Sequence, residues 1–380
     1  MNAPALNVSK LDQVSVDCSP ALAVIVPTAL CMAMLTLATV AAQLSLLDAR
    51  PLFVPYLSSA LAISFVAILT YVFIEFAKLA WAQAEDPVTI VGAKLADRIP
   101  LMLLPGLVLP LFLIGYTASK CAIQFLVGYG WDVFFADADR IIFRDDVWRL
   151  TREYLGDSQS RIWEWFYTAG WGAVFFITAN AVALFASKRF VGVYFTAVLA
   201  TWLIGGCILA YCFSAAGPVF AGHFHPELAQ RFAPMRDALD ASLGTGPISY
   251  TQAYLAKIIG VHVAVKGGGI SAMPSMHLAS ASIYVLAARK TRWLVPAVLF
   301  WLIIFIGSGY FGYHYWVDGI AAAALAAVLW RLSEALFTPA AEDTAPLACR
   351  SGVVAPAAGR WDHRRSAIST ARGASQTTRL

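Results

Sequence analysis

The chain is short of charge. Of its 380 residues only 13% are Asp, Glu, Lys or Arg, where soluble domains carry roughly 25%. Hydrophobic residues make up 59%, and the mean hydropathy is +0.68. These values exclude a soluble globular domain and describe an integral membrane protein. Cysteine is equally uninformative. Cys18, Cys31, Cys121, Cys207, Cys212 and Cys349 show neither disulfide nor metal spacing, so they read as small apolar fillers. No internal repeat is visible. The net charge is +4, with much of the excess near the C-terminus; this favours contact with an anionic inner leaflet and argues against nucleic acid as a partner.

What the chain does have is apolar runs. A bilayer crossing needs roughly 17–25 such residues, and spans are expected near 20–47, 56–82, 99–118, 163–186, 190–213, 275–289, 292–311 and 315–336. The expected fold is therefore all-α and polytopic, with about eight transmembrane helices, the sixth short enough to begin inside the membrane. Asp12 and Asp17 make a poor signal-peptide start, so the first run is read as a helix. Lys94, Arg98, Lys188, Arg189, Arg289, Lys290, Arg292 and the Arg-rich C-terminal segment all fall on one side of this stack. The positive-inside rule makes that side cytoplasmic. Both termini are then inside, while the loops 119–162 and 214–274 lie outside with His277 and His314.

Four blocks follow: a polar leader at 1–20, a transmembrane hairpin at 21–98, a six-span block at 99–336 and a disordered Arg/Ala/Pro-rich cytoplasmic tail at 337–380. The loop "GYGWDVFFADADRIIFRDDVWRLTREYLG" alternates apolar and charged positions. It reads as amphipathic interfacial helices or a salt-bridged connector. The segment 214–274, with Gly217-Pro218, Gly244, Gly246 and Pro247, reads as an irregular cap.

Chemistry concentrates at two places. In "GYHYWVDGIAAA", His314 and Asp318 stand four residues apart, on one helical face. The expectation is that Asp318 accepts the Nδ1 proton and leaves Nε2 as a nucleophile or base. A carboxylate in a membrane helix costs roughly 2.5–3.5 kcal/mol on insertion scales, which disfavours accident. In "GGGISAMPSMHLAS", Ser275 and Pro274 mark a helix start whose free N–H groups suit an anion. The glycines before it, Gly269 among them, allow close approach of backbone to a ligand, and His277 sits in the first turn. Together these suit attack on a phosphate ester. His314 would take the phosphoryl group, His277 would protonate the departing alcohol, and water or another alcohol would release the phosphohistidine. This scheme needs no metal and no cofactor. His223 and His225 in "GHFHPE" read as polar surface.

"MPSMHLAS" resembles the PSGH-type motif of the type 2 phosphatidic acid phosphatase (PAP2) superfamily, and "YHYWVD" resembles its closing HxxxD motif. The likeness is nearest to the inositol phosphorylceramide synthase-like branch, in which Ser-x-His replaces Ser-Gly-His; "DADRIIFRDDVWRL" and "SAAGPVF" are similar to its outer-loop segments. The resemblance covers roughly 99–336. It implies a six-helix membrane core with its site at the outer leaflet, acting on a lipid phosphate: phosphatidic acid, a prenyl (di)phosphate or a sphingolipid. Two departures stand out. "KLADRIP" has the wrong spacing for the Lys-x6-Arg-Pro motif of hydrolytic members and lies on the inner side. Ser308 occupies the place of their Arg, six residues before His314. The phosphate-binding cation must come from Lys120, Arg140, Arg144 or Lys266, with Lys120 and Lys266 favoured by position. Trp316 is expected to line the acyl entrance. The composition looks bacterial, which points to an inner (plasma) membrane with the site facing the exterior. The rival readings are an inositol phosphorylceramide synthase-like head-group transferase, a non-catalytic transporter or scaffold, and a hydrolase using His277, His314 and Asp318 as metal ligands.

Overall fold

A computed structural model describes residues 20–158 and 160–338. The expected leader at 1–20 and tail at 337–380 lie outside them, apart from Pro20, Phe337 and Thr338. The described residues are helical, with no strand among them.

Six helices are long and apolar enough to cross a membrane. They are α1 (Pro20–Leu44), α2 (Phe53–Trp81), α3 (Pro87–Leu126), α6 (Ser160–Phe185), α7 (Lys188–Cys212) and α12 (Trp316–Leu336). Short helices α4 (Asp132–Phe143) and α5 (Val147–Leu155) lie between α3 and α6; α8 (Pro226–Leu243) and α9 (Pro247–Lys257) follow α7. Two further apolar helices, α10 (Met276–Ala288) and α11 (Leu294–Tyr310), are shorter. At 1.5 Å per residue α10 covers about 20 Å, less than the ~30 Å hydrocarbon core. Six long helices and two short ones thus stand where eight spans were expected.

The expected boundary at residue 98 falls inside a helix. Asp86 accepts the Thr89 amide at 3.2 Å, with Pro87 beside it, and α3 starts there. Lys94 lies on α3, 2.6 Å from Glu75 of α2. Arg98 donates to the Ala186 carbonyl, Lys188 pairs with Asp97, and Arg189 donates to the Phe337 carbonyl. These links gather the start of α3, the end of α6, the start of α7 and the end of α12 at one end of the bundle. Lys94, Arg98, Lys188 and Arg189, four of the basic residues used to orient the sequence, therefore cluster in space.

The opposite end holds everything else of interest. There α3 ends, α6, α10 and α12 begin, and α4, α5, α8 and α9 cover them. α10 starts because Ser275 accepts the Leu278 amide. α12 starts because Asp318 reaches back to the Tyr315 amide at 3.0 Å. A central core including Phe112, Phe195, Trp202, Ile283 and Trp330 is buried between the long helices.

Candidate active site

His277 and His314 meet. Their ring centroids are 5.8 Å apart with planes at 62°, close enough for a single phosphoryl group to reach both. Each lines a cavity of about 560 Å³, shared with Lys120, Lys266 and Gly267–Gly269. Distant stretches of chain converge here because two short-range caps start α10 and α12 side by side: the Ser275 amide donates to the Asp318 carbonyl at 3.2 Å.

The orientation of His314 differs from the expectation. Its Nδ1 lies 2.8 Å from the Ala272 carbonyl oxygen and 3.7 Å from Asp318 Oδ2. A carbonyl only accepts, so Nδ1 carries the proton and Nε2 keeps its lone pair. The chemical consequence is the one anticipated, but a different group produces it. Asp318 is fully buried and is absent from the cavity wall. One of its oxygens is spent on the Tyr315 amide, which draws it toward the helix start and away from the imidazole. Burial pushes His314 down to about 4; the Lys120 charge acts in the same direction and the Ala272 carbonyl opposes it.

A test separates the two arrangements. Asn at 318 can still accept from the Tyr315 amide, so Asp318→Asn should lower kcat by less than about tenfold. An orienting carboxylate would cost orders of magnitude, and steady-state kinetics distinguish the two.

His277 sits between two aromatic residues that the sequence did not single out. Tyr167 stacks on it at 5.1 Å and 15°, and the Trp171 ring is 4.3 Å away and donates Nε1–H to the His277 carbonyl. Both come from the first turns of α6, where the helix loosens into a π segment at Phe166–Gly170. Such segments often mark functional sites.

The phosphate-binding expectations divide. Lys120, near the end of α3, lines the cavity, and its charge acts on both imidazoles. Lys266 lines the mouth and is held by Ser59 Oγ at 2.7 Å and the Pro55 carbonyl at 3.3 Å. Gly269 also lines it, at φ +78, where a Cβ would sit 2.8 Å from the Cys121 nitrogen; only glycine lets this loop lie against α3. Ser275 is a correction. Its hydroxyl caps α10, it is fully buried, and it does not reach the cavity. Arg140 and Arg144 are exposed and off the cavity wall. Ser308 lies beneath the turn instead, its carbonyl accepting the Tyr313 and His314 amides. Trp316 is a second correction: its Nε1–H goes to the Phe305 carbonyl and its ring stacks on Phe305, away from the cavity.

The acidic loop proves to be structural at the site. α4 turns Asp132 and Asp139, seven residues apart, onto one buried face. Asp132 accepts from the Ala216 and Gly217 amides and the Tyr315 hydroxyl. Asp139 accepts the Trp316 and Val317 amides at the start of α12. Burial raises both carboxyls, Asp139 to about 7, against amide bonds that favour the charged form. Arg231 of α8 clamps the same loop through Asp137, Asp146 and the Ala136 carbonyl. The salt-bridged reading thus holds for the outer face of α4 and fails for its inner face. Gly217, at φ +87, lies too close to the Tyr313 carbonyl to carry a side chain. Asp132→Ala orphans two buried amides at about 1–3 kcal/mol each, so a marked drop in thermal unfolding temperature is expected.

His225 Nε2 lies 2.8 Å from the Tyr129 carbonyl and His223 Nδ1 3.2 Å from the Phe220 carbonyl. Among the described residues no group of His, Cys, Asp and Glu could hold a metal ion.

No curated protein and no solved structure matches the chain. The likeness that is found covers less than the 99–336 anticipated from the motifs: it takes in His277, His314 and Asp318 and leaves out Lys120, Asp132 and Asp139. A family model does match, that of the PAP2 superfamily, over residues 158–332.

Proposed function

We propose that the protein is a histidine-dependent membrane lipid phosphatase or phosphotransferase, working on an outer-leaflet lipid through a phosphohistidine on His314. The observation that carries this reading is the pair of imidazoles, 5.8 Å apart, on one cavity with Lys120. The PAP2 superfamily match supports the same enzyme class.

In the first step the Nε2 lone pair of His314 forms a bond to phosphorus. The ester P–O bond breaks, and the departing oxygen takes a proton from His277. In the second step water or an alcohol gives its proton to His277 and attacks phosphorus. The P–N bond breaks and His314 is restored. Lys120 faces the equatorial oxygens, where charge is concentrated in the transition state. Tyr167, stacked on the His277 ring, and Trp171, tilted beside it, keep that ring in one plane for both transfers.

The absent Arg at Ser308 favours transfer to an alcohol, as in the inositol phosphorylceramide synthase-like branch, over hydrolysis. A transporter or scaffold would need charges along a continuous path. The charged lining of this cavity is Lys120 and Lys266, at one end. We place the protein in a bacterial inner membrane with the site facing the exterior and both termini cytoplasmic, in line with the basic cluster at the other end of the bundle.

The deciding experiment measures phosphate release and head-group exchange with purified protein on phosphatidic acid, a prenyl diphosphate and sphingolipids, with and without alcohol acceptors. Turnover of at least one class, insensitive to chelators, is expected. Folded protein inert across the whole panel would overturn the reading.

A further inference from the structure

The N-terminal hairpin α1–α2 precedes the segment matched by the family model, yet Tyr56 of α2 forms part of the cavity wall. At the basic end of the bundle α2 packs on α6, with the Tyr71 and Phe185 rings 5.2 Å apart and Lys78 over Phe185. At the site end residues of both helices line the cavity. Tyr56 of α2 turns to α3, sharing a 2.7 Å hydrogen bond with Thr117, and accepts from the Gly267 amide. Across the cavity from it stand Thr168 and Phe176 of α6. All three are only partly buried, in contrast to Tyr71.

Between Thr168 and Phe176, one helical turn from each, comes Gly172. A Cβ built there meets no atom within 4 Å. The stripe of α6 that faces the cleft is therefore missing a side chain at its middle, and the space beyond is open. Inside, the wall passes from Lys120 and the two histidines to Leu113, Phe175 and Trp202. The cavity has a polar end for a phosphate and an apolar length for a chain.

We infer that the cleft between the site-end halves of α2 and α6 admits the aliphatic chain of a phosphorylated lipid sideways from the bilayer, past Tyr56 and over Gly172. This rests on the lipid phosphatase or phosphotransferase reading above and assigns the hairpin a role in it. Lys266 and Gly267, beside Tyr56, are exposed and leave the polar end of the cavity open to a small acceptor. The passage lies away from Trp316, whose ring is packed elsewhere.

Gly172→Trp puts an indole into open space without removing any polar group, and so should block the cleft. The wild type and the variant are compared on a long-chain phosphatidic acid in vesicles and on a water-soluble short-chain phosphate monoester. The expected result is a loss of about tenfold or more in kcat/KM on the long-chain lipid, with the soluble ester within about twofold. Equal effects on both substrates, or none on either, would overturn the passage. A second measurement is independent of turnover and of the variant: a non-hydrolysable lipid phosphonate carrying a diazirine along its chain, photolysed on wild-type protein. Labelling of α2 and α6 peptides supports the passage, and labelling confined to other helices overturns it. A wild type inert on both esters would count against the enzyme reading alone, since the photolabel still reports where the chain lies.

Discussion

His314→Ala is expected to abolish turnover, lowering kcat by roughly 10⁵ or more, as losing a covalent nucleophile does, and to eliminate the acid-labile phosphoryl adduct. The argument rests on the Ala272 carbonyl. Because that oxygen can only accept, it determines the tautomer and leaves Nε2 unprotonated on the cavity side. Of the two imidazoles on the cavity, His314 is the one whose ring nitrogen is fixed by a backbone carbonyl. The pH profile follows from the same environment. Burial pushes His314 down to about 4, and the reactive form is the neutral one. The acid limb of kcat/KM assigned to the nucleophile should therefore fall near pH 4, well below the ordinary histidine value of about 6.5. Trapping radiolabelled phosphate on alkali-quenched, denatured protein reads the adduct directly. An adduct that survives in His314→Ala would move the nucleophile elsewhere.

His277→Ala should leave the opposite signature. General acid catalysis is worth about 10²–10⁴ in rate, and its value depends on the leaving group. An alkoxide leaving from a lipid ester needs the proton. An aryl oxide scarcely does. Turnover of an alkyl phosphate should therefore fall by roughly 10²–10⁴, and phosphorylation by an aryl phosphate should be little affected. Because His277 also takes the proton from the incoming water or alcohol, breakdown of the adduct remains slow. The phosphohistidine then accumulates, with a burst of aryl alcohol followed by a slow steady rate. Stopped-flow and quench measurements with the two leaving groups separate this from damage to packing. A loss of the Tyr167 and Trp171 ring contacts alone would slow both substrates alike.

How far the site was legible follows from the range of the interactions that build it. The helix caps are local, and the one at Ser275 was readable where the residue type places it, before α10, whereas the one made by Asp318 at the start of α12 went unread. The same locality misled the reading of their function. Ser275 looked like a phosphate ligand and Asp318 like the partner of His314, because sequence spacing shows which groups can meet but not which bond wins. Here a backbone amide takes each side chain's oxygen first. Asp132 and Asp139 were hidden for a related reason. An acidic loop on a membrane protein looks solvated, and only the packing of α4 against the start of α12 reveals that one face is buried. Ala272, Tyr167 and Trp171 carried no signal beyond being apolar or aromatic in a chain full of such residues.

By itself, the sequence determined that this chain is an integral membrane protein, that apolar helices stand near each of the eight expected runs, though the third is longer at both ends, and that two histidines lie at helix starts. Apolar run length, capping residues and charge distribution act over a few residues, so they survive in one dimension. Only the tertiary structure decided which carbonyl orients His314, that Lys120 shares a cavity with both rings, and that Tyr56 of α2 and Thr168 of α6 line it too. Those depend on groups tens to hundreds of residues apart reaching hydrogen-bond or van der Waals distance, and no local pattern encodes such a distance.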